Sequence, residues 1–508
     1  MARRRWLALL VAVMSGSWPA PTEAGDAPKR PNVVILLADD MGFSDAGCYG
    51  GEIATPNLDA LASKGLRYTQ FYNTARCWPS RAALLTGYYA QQVNRDPQGP
   101  RPQWAALLPE MLAKGGYRSY HSGKWHVDGP VLSGGFSRSY LLLDHNRNFY
   151  PKEHELDDKP LPPVEPGTDY YTTTEITSRA IDWLDGHLAD HAGDPFFLYV
   201  AYTSPHFPVQ APAEDVSRQK GRYREGWDVL RKRRWERLKS LGIVNCELSE
   251  RTPGVPAWDS LSDAEKAAWE SRMEVHAAMV DRIDREIGRI LGRIQQAGLW
   301  DDTLILFASD NGASAEKVLR GDGHDPDAPP GSGKTFLCIE PPWANLANSP
   351  FRKSKIFVHE GGISTPLIAH WPAGIAAKGE LRRAPGHFVD FAPTLLELAG
   401  VEPPDSWAGR KRPPMAGKSL VPTFADDTPI ARDPLFFKHE KNRALRVGDW
   451  KIVASGANTP WELYDLGTDR AESHDLARER PGKVRELAAI WERLDAEYQA
   501  QGRTAKAP

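Results

Sequence analysis

Three apolar runs and one helical pattern constrain the fold of this 508-residue chain more than any other feature. Residues 32–37 after the initial Asn32, residues 196–202 and residues 304–308 are continuously apolar, as strands buried on both faces of a parallel sheet are. Between the last two runs, residues 272–297 repeat apolar side chains at three- and four-residue steps, and Gly298 follows them. Strands that alternate with helices predict an α/β fold with a large, mostly parallel (mixed) sheet sandwiched by helices.

Polar side chains come directly after these three runs. Asp39 and Asp40 follow the first, His206 follows the second, and Asp310 and Asn311 follow the third. Parallel strands present their carboxyl ends at one edge of the sheet, so we expect these side chains to converge there. Three carboxylates and an amide, with no His or Cys cluster nearby, suit a hard cation such as Ca²⁺ or Mg²⁺. Each acidic pair alone could be a turn or cap, but their shared position favours a metal site.

A second feature is the sequence Cys77-Trp78-Pro79-Ser80-Arg81, which a short apolar run follows. Proline suits the first turn of a helix, so Cys77 is expected at a helix N-terminus. Free backbone N–H groups at that position favour an anion, such as a sulfate or phosphate monoester. The alternative is a buried structural cysteine that happens to precede Pro-Ser-Arg.

Two later segments complete a pattern. Residues 123–126 read Gly-Lys-Trp-His, and Lys355 lies five residues before a Glu-Gly-Gly sequence, although Lys353 competes for the same assignment. Together with the cysteine motif, and in this order, these segments resemble the sulfatase family, most of all the bacterial arylsulfatases. The resemblance covers most of the chain. It implies an alkaline-phosphatase-like fold and hydrolysis of a sulfate ester to an alcohol or phenol plus inorganic sulfate.

The resemblance also implies cofactors. In this family the cysteine is oxidised after translation to Cα-formylglycine by the formylglycine-generating enzyme, and the hydrated aldehyde attacks the sulfate ester. Cys77 would then be the precursor of a cofactor and also one ligand of a single metal ion, Ca²⁺ or, as the alternative, Mg²⁺. The other ligands implied by the family are Asp39, Asp40, Asp310 and Asn311.

The family resemblance further implies roles for five side chains. Arg81, with the metal, would hold the hydrated formylglycine. Lys124, Lys355 and His206 would contact the sulfate oxygens, and His206 or Lys355 would protonate the departing alcohol. His126 would accept the proton of the second hydroxyl when sulfate is expelled.

Other functions fit part of the pattern. A phosphonate or phosphate ester hydrolase could use the same scaffold and the same formylglycine. A catalytically dead protein that binds sulfated glycans would keep Cys77 as a thiol. A two-zinc phosphatase is disfavoured because the acidic set lacks the histidines of such sites.

Residues 328–335 end in Gly-Lys-Thr, as a phosphate-binding loop does. Such a loop needs a strand before it and a helix after it, and neither is predicted here, which argues against nucleotide binding.

The ends of the chain differ in composition from its centre. Three arginines precede an apolar run at residues 6–14, and a plausible cleavage site follows, so residues 1–24 are predicted to be a secretory signal peptide. We therefore expect export, to the periplasm or the medium. Residues 25–412 are assigned to the catalytic domain and 413–508 to a smaller α+β subdomain. Its predicted elements are short antiparallel strands at 435–437, 445–447, 450–453 and 462–464 and a helix at 482–499.

Composition limits the partners. At most one disulfide can form among Cys48, Cys246 and Cys338 once Cys77 is converted. With a net charge of −3, and with the basic run 231–234 interpreted as a solvated helix face, we expect neither a nucleic-acid partner nor stable membrane insertion. The expected partners are a sulfated small molecule or carbohydrate and the maturation enzyme. Specificity would lie in the insertion 213–262, the loop 321–348 and the C-terminal subdomain; the substrate and the oligomeric state stay open.

Overall fold

The computed structural model describes residues 30–503, so the predicted signal peptide at residues 1–24 lies outside the described residues. A mixed sheet of eleven strands forms the centre of the fold. Its strands are β1 (Asn32–Asp39), β2 (Leu66–Tyr72), β3 (Arg118–Gly123), β4 (Arg138–Leu142), β5 (His154–Leu156), β6 (Lys159–Pro160), β7 (Phe196–Pro205), β8 (Thr303–Ser309), β9 (Ser364–His370), β10 (Glu380–Arg382) and β11 (Gly386–His387).

The strand order is β10-β2-β9-β8-β1-β7-β3-β4-β5-β6, and β11 also pairs with β2. The central strands β8, β1, β7, β3 and β4 run parallel, whereas β9, β5 and β6 pair antiparallel with their neighbours. The three apolar runs identified in the sequence are therefore adjacent strands at the middle of the sheet. The prediction of a mostly parallel mixed sheet is confirmed.

Helices cover both faces of this sheet. They are α1 (Pro56–Lys64), α2 (Cys77–Thr86), α3 (Leu108–Leu112), α4 (Thr172–Asp190), α5 (Ala213–Gln219), α6 (Gly226–Ser240), α7 (Asp263–Gln296), α8 (Glu340–Ala347), α9 (Glu360–Ile363), α10 (Phe391–Leu398), α11 (Pro422–Ala425) and α12 (Pro481–Arg503).

Strand β1 shows why two helical layers are needed. Val34 and Leu36 point into one core, which they share with residues of α1, α4, α6 and α7. Val33 and Ile35 point into the opposite core, which they share with residues of α2, α3, α10 and α12. Successive side chains of a strand face opposite sides, so a strand that is apolar at every position must be covered twice.

The C-terminal region adds a second, antiparallel sheet, which contains in this order β14 (Leu435–His439), β15 (Asn442–Val447), β16 (Trp450–Ser455) and β17 (Glu462–Asp465). Lys451 and Arg470 tie it to the main sheet, because both are buried and pair with Glu360 of α9, at 2.9 Å and 3.1 Å. This sheet and α12 confirm the predicted fold of the region, while the domain boundary at residue 412 stays a prediction. Strands β12 (Ser406–Trp407) and β13 (Arg410–Lys411) form a separate hairpin.

Three local predictions were wrong. Helix α7 begins at Asp263, not at residue 272, because Ser262 and Glu265 form a capping box ahead of a polar first turn. The predicted loop 321–348 contains helix α8, which starts at a pair of prolines and buries Trp343. The basic run 231–234 is not simply a solvated face: Arg234 is 1% exposed and pairs with Asp45 at 2.7 Å.

The insertion 213–262 is also more ordered than its sequence indicates. It forms α5 and α6, and both Trp227 and Trp258 are buried, with ring centroids 4.8 Å apart. All four cysteines are free and buried, so no disulfide links them. Among residues 30–503, no helix combines the length and the apolar character that a membrane span requires.

Helix α1 starts against α7, and this contact yields a stability prediction. The Asp284 carboxylate accepts hydrogen bonds from the backbone N–H groups of Asn57 (3.1 Å) and Leu58 (2.8 Å). Asp284→Ala leaves these buried donors unpaired, so urea unfolding should show a loss of about 1–3 kcal/mol. Gln295→Ala changes an exposed residue of α7, the helix that carries Asp284, and should change the free energy of unfolding by less than about 0.5 kcal/mol. Equal losses in both variants would contradict this role of Asp284.

Candidate active site

The carboxyl ends of four neighbouring parallel strands meet at one edge of the sheet. Asp39 is the last residue of β1, with Asp40 next to it. His206 follows β7, and Asp310 and Asn311 follow β8. Lys124 follows β3. These predicted site residues therefore lie side by side because the strands that carry them are neighbours in the sheet.

Cys77 lies at the first position of helix α2, which follows strand β2. A short turn presents it there: the Ser80 hydroxyl accepts a hydrogen bond from the backbone N–H of Thr74 at 3.0 Å. The cysteine side chain is buried, with 3% of the residue exposed. Burial raises the pKa of the Cys77 thiol, and the nearby ammonium groups of Lys124 and Lys355 only partly oppose this. The unmodified residue is therefore a neutral thiol.

Each of the three buried carboxylates has its own cationic partner. Arg81 Nη2 lies 2.7 Å from Asp310 Oδ2. Lys124 Nζ lies 2.5 Å from Asp39 Oδ2, and Lys355 Nζ lies 2.7 Å from an oxygen of Asp40. Three negative and three positive side chains thus balance in a region that water does not reach, as buried charges require.

The three carboxyl groups differ in acidity although they are close together. Burial would raise the pKa of Asp39, but the positive charges of Lys124 and Arg81 hold this pKa well below its usual range. Burial and the neighbouring Asp39 charge raise the pKa of Asp40, against the opposing Lys355. The same two causes raise the pKa of Asp310 to about 7. Crowded carboxylates resist simultaneous ionisation, which an added cation would relieve.

Three oxygen atoms in this cluster have no hydrogen-bond partner among the described residues. They are Oδ1 of Asp39, Oδ1 of Asp310 and Oδ1 of Asn311, and all three residues are fully buried. The Asn311 amide group donates to Asp40 at 2.6 Å and to the Gly312 carbonyl at 3.0 Å, which fixes its orientation. Ligand atoms of Asp39, Asp40 and His206 lie within 4.8 Å of one another. Unpaired buried oxygens are costly, so this arrangement could hold a metal ion.

Two predicted histidines border the cluster. His206 Nδ1 donates to the backbone carbonyl of Phe207 at 2.5 Å, which leaves Nε2 facing Asp40 at 3.7 Å. His126 follows Lys124 by two residues, and its Nδ1 has no partner within residues 30–503. Burial lowers the pKa of both imidazoles well below the usual value, and nearby lysines add to the effect. Both rings are therefore neutral in this arrangement.

Of the two candidate lysines, the structure brings only Lys355 to the cluster, and it adds two further residues there. Lys355 contacts Asp40, whereas Lys353 lies over the ring of Phe357, 4.8 Å from its centroid. His145 packs against His126 with ring centroids 4.8 Å apart. Glu316 bridges two cations of the site, at 3.0 Å from Arg76 and 3.4 Å from Lys355. Neither His145 nor Glu316 belongs to a recognisable motif, so no local pattern pointed to them.

The comparison with family models decides the relationship. The model described as "Sulfatase" matches residues 31–401, well over half of the chain. The chain belongs to the sulfatase family. A second model, "N-sulphoglucosamine sulphohydrolase, C-terminal", matches residues 352–500. The prediction of a sulfuric ester hydrolase is confirmed at the level of the family.

Individual sulfatases extend this similarity over nearly the whole chain. An uncharacterized sulfatase of Schizosaccharomyces pombe is 33% identical and covers 92% of this chain and 94% of its own length. An arylsulfatase of Klebsiella aerogenes is 31% identical, over 77% of this chain and 91% of its own. One solved structure is described as a complex with its substrate, D-glucosamine-2-N,6-O-disulfate. It is 22% identical to this chain and has a TM-score of 0.67. The match covers 94% of this chain and all of that chain, which shows that the two share a fold.

The buried charge balance of this sulfatase yields a second prediction. Lys355→Met leaves Asp40 uncompensated beside Asp39, so the metal-free protein should lose about 3–5 kcal/mol in its free energy of unfolding. The comparison variant is Arg118→Ala, which breaks a pair with Asp194 whose side chains are 41% and 49% exposed. That change should cost no more than about 1 kcal/mol. Chemical denaturation in the presence of a chelator measures both, and equal costs would refute the importance of the buried pair.

Proposed function

We propose that this protein hydrolyses sulfate esters with a formylglycine derived from Cys77 and one hard divalent cation. The observation that carries the proposal is the set of three buried, unpartnered oxygens of Asp39, Asp310 and Asn311. They accompany Asp40, in a cluster to which the ammonium groups near Cys77 also belong. A site that offers unsatisfied oxygen ligands beside a nucleophile precursor suits metal-assisted attack on an anionic ester.

The proposed metal ligands are Asp39, Asp40, Asp310 and Asn311, with residue 77 after its oxidation. Their donor atoms are oxygens, which suit Ca²⁺, or Mg²⁺ as the alternative. A bound divalent cation would favour the ionised form of a hydroxyl group at residue 77. It would also take over part of the charge compensation that Lys124 and Lys355 now provide, so these lysines could turn to an anionic substrate.

We further propose that the formylglycine-generating enzyme converts Cys77 before the chain folds. In the folded protein this cysteine is 3% exposed and lies in the first turn of α2, so an enzyme that reads the Cys-x-Pro-Ser-Arg sequence could not reach it. The formylglycine would supply a geminal diol as the nucleophile. The free N–H groups at the start of α2 would favour the negative charge that accumulates near residue 77.

The remaining roles rest on the positions of the protein's own side chains. Arg81 is held rigidly by Asp310 and by the Lys124 carbonyl, at 2.8 Å, and would orient residue 77. Lys124 and Lys355 would bind the sulfate oxygens. Lys355 would donate a proton to the departing alcohol, or His206 would do so once its Nε2, which faces Asp40, has itself taken up a proton. His126, whose Nδ1 is unpartnered, would accept the second hydroxyl proton.

Compartment and domain assignment belong to the same proposal. We propose export directed by residues 1–24, on the basis of the arginines, the apolar run and the cleavage site in that segment. We also propose catalysis within residues 25–412 and a supporting role for 413–508. The relatives include an arylsulfatase and a protein solved with a sulfated sugar, so aryl and carbohydrate sulfates are both candidate substrates.

The oxidation of Cys77 can be tested directly. We expect mass spectrometry of protein coexpressed with a formylglycine-generating enzyme to find the residue-77 peptide with an aldehyde mass in place of the thiol mass. Cys77→Ala should lose multiple turnover of an aryl sulfate, by at least about 10³-fold, because the nucleophile is absent. Cys246→Ala, which removes another buried free cysteine, should keep both the aldehyde and the activity.

Each outcome separates the alternatives. Full activity in Cys77→Ala, or turnover by protein with an intact thiol, refutes the formylglycine scheme. A persistent thiol without turnover after coexpression favours a catalytically dead protein that binds sulfated glycans. Paired assays with an aryl sulfate and an aryl phosphodiester test the remaining alternative, and faster turnover of the phosphodiester would favour a phosphonate or phosphate ester hydrolase.

The metal proposal has a readout that does not need activity. Calcium added to chelator-treated protein, at about 100-fold above its dissociation constant, should stabilise the fold by about 2.7 kcal/mol and raise Tm accordingly. Asp310→Asn should weaken this concentration-dependent shift because it removes a ligand charge. Asp194→Asn is the control, because Asp194 forms only a partly exposed ion pair with Arg118. This variant should leave the calcium-dependent shift in Tm unchanged. A shift that is identical in all three proteins would place the ion elsewhere.

A further inference from the structure

A cavity of about 420 Å³ opens beside the candidate active site, at the carboxyl end of strand β4. Strands β3 and β4 are parallel neighbours, with Gly123 opposite Leu141, so the residues after both strands meet at the same edge of the sheet. We call this cavity the β4 pocket. It is lined by Trp125, His126, Val127, Gly129, Pro130, Leu141, Leu142, Leu143, His145, Glu155 and Asp158.

The β4 pocket borders the candidate active site at His126. This residue lines the pocket, and its imidazole also lies within the electrostatic influence of Lys124, Arg81 and Asp39. His145 lies against His126 in the pocket and is influenced by Lys124 and His206. The two imidazoles therefore form the boundary between the charged cluster, which suits sulfate, and the cavity beyond it.

The walls of the β4 pocket are mostly apolar. Trp125, Val127 and Leu141 supply buried apolar surface. Leu143 is 43% exposed and is one of three large aliphatic side chains that are exposed among residues 30–503. An exposed leucine at the lip of a cavity is a surface that an apolar ligand could cover.

The charge of the pocket has a single sign. Glu155 and Asp158 are its two charged lining residues, and no lysine or arginine lines it. Asp158 accepts hydrogen bonds from the backbone N–H groups of Val131 and Leu132, both at 2.9 Å. Within the described chain, no hydrogen bond or ion pair engages the Glu155 carboxylate. An additional anionic group on a ligand would therefore meet an uncompensated negative charge here.

We propose that the β4 pocket binds the alcohol part of the ester and selects aryl or other uncharged, apolar alcohols over alcohols that carry further anionic groups. This proposal rests on the proposed sulfate ester hydrolysis. The sulfate group is drawn to the lysines and the metal site, and the group on the other side of the ester oxygen passes the two histidines into the cavity. Polyanionic glycans are disfavoured substrates because the pocket has no cation to receive their additional charges.

The test compares two aryl sulfates whose phenols have matched pKa values, one neutral and one with a ring carboxylate. We expect native protein to prefer the neutral ester by at least about tenfold in kcat/KM. Glu155→Lys should reduce this preference by about three- to tenfold, chiefly through KM of the anionic ester. Glu397→Lys, an exposed position on α10 that does not line the pocket, makes the same charge change and should leave the preference unaltered.

A second variant tests the apolar wall independently of charge. Leu143→Ala should raise KM for the neutral ester by about three- to fivefold, because apolar contact area is lost. Val229→Ala, at a side chain that is 45% exposed on α6, is the matched control and should have no effect. Thermal melting of each variant shows that the fold is retained, and Glu155→Gln replaces the lysine variant if that one fails to fold.

The outcomes distinguish the pocket proposal from the function proposal. If native protein turns over neither ester, the proposed sulfatase activity fails. If it turns over both but prefers the carboxylated ester, or if Glu155→Lys and Glu397→Lys behave alike, the assignment of the β4 pocket is overturned while the activity stands. A lower preference only in Glu155→Lys, with a higher KM in Leu143→Ala, supports the pocket as the alcohol site.

Discussion

Three buried carboxylates at one edge of the sheet set the charge balance on which the candidate site depends. Asp39, Asp40 and Asp310 lie at the carboxyl ends of adjacent parallel strands, where the sheet brings them together whatever their charge. A buried carboxylate without compensation is costly, and each one here is matched by an arginine or a lysine. The site therefore depends on charge compensation that comes from three separate segments of the chain.

The same compensation links stability to function. The cations that neutralise the carboxylates in the metal-free protein are the side chains proposed to bind sulfate, and the oxygens that remain unpartnered are the proposed ligands of the cation. Metal binding would give those oxygens a partner. It would also reduce the share of the carboxylate charge that Lys124 and Lys355 have to compensate. A second buried network, from Lys451 and Arg470 to Glu360, fixes the C-terminal sheet against the segment that carries Lys355.

Polarity changes sharply across the two histidines next to the site. On one side lie three cationic side chains and the proposed metal ligands, and on the other lies an apolar cavity with two carboxylates. An ester with a charged sulfate and an uncharged aryl group would match both sides at once. The insertion 213–262 buries Trp227 and Trp258 in the core, so these two aromatic side chains contribute to stability and not to an open binding surface.

The sequence determined the central strands and the order of the motifs, because apolar runs and short signatures are local. It thereby predicted the positions of Asp39, Asp40, His206, Asp310 and Asn311 at one sheet edge. Tertiary structure alone decided which cation pairs with which carboxylate, that Lys355 and not Lys353 reaches the cluster, and that His145 and Glu316 border it. Those contacts join segments far apart in the chain, and no local pattern encodes a distance between such segments.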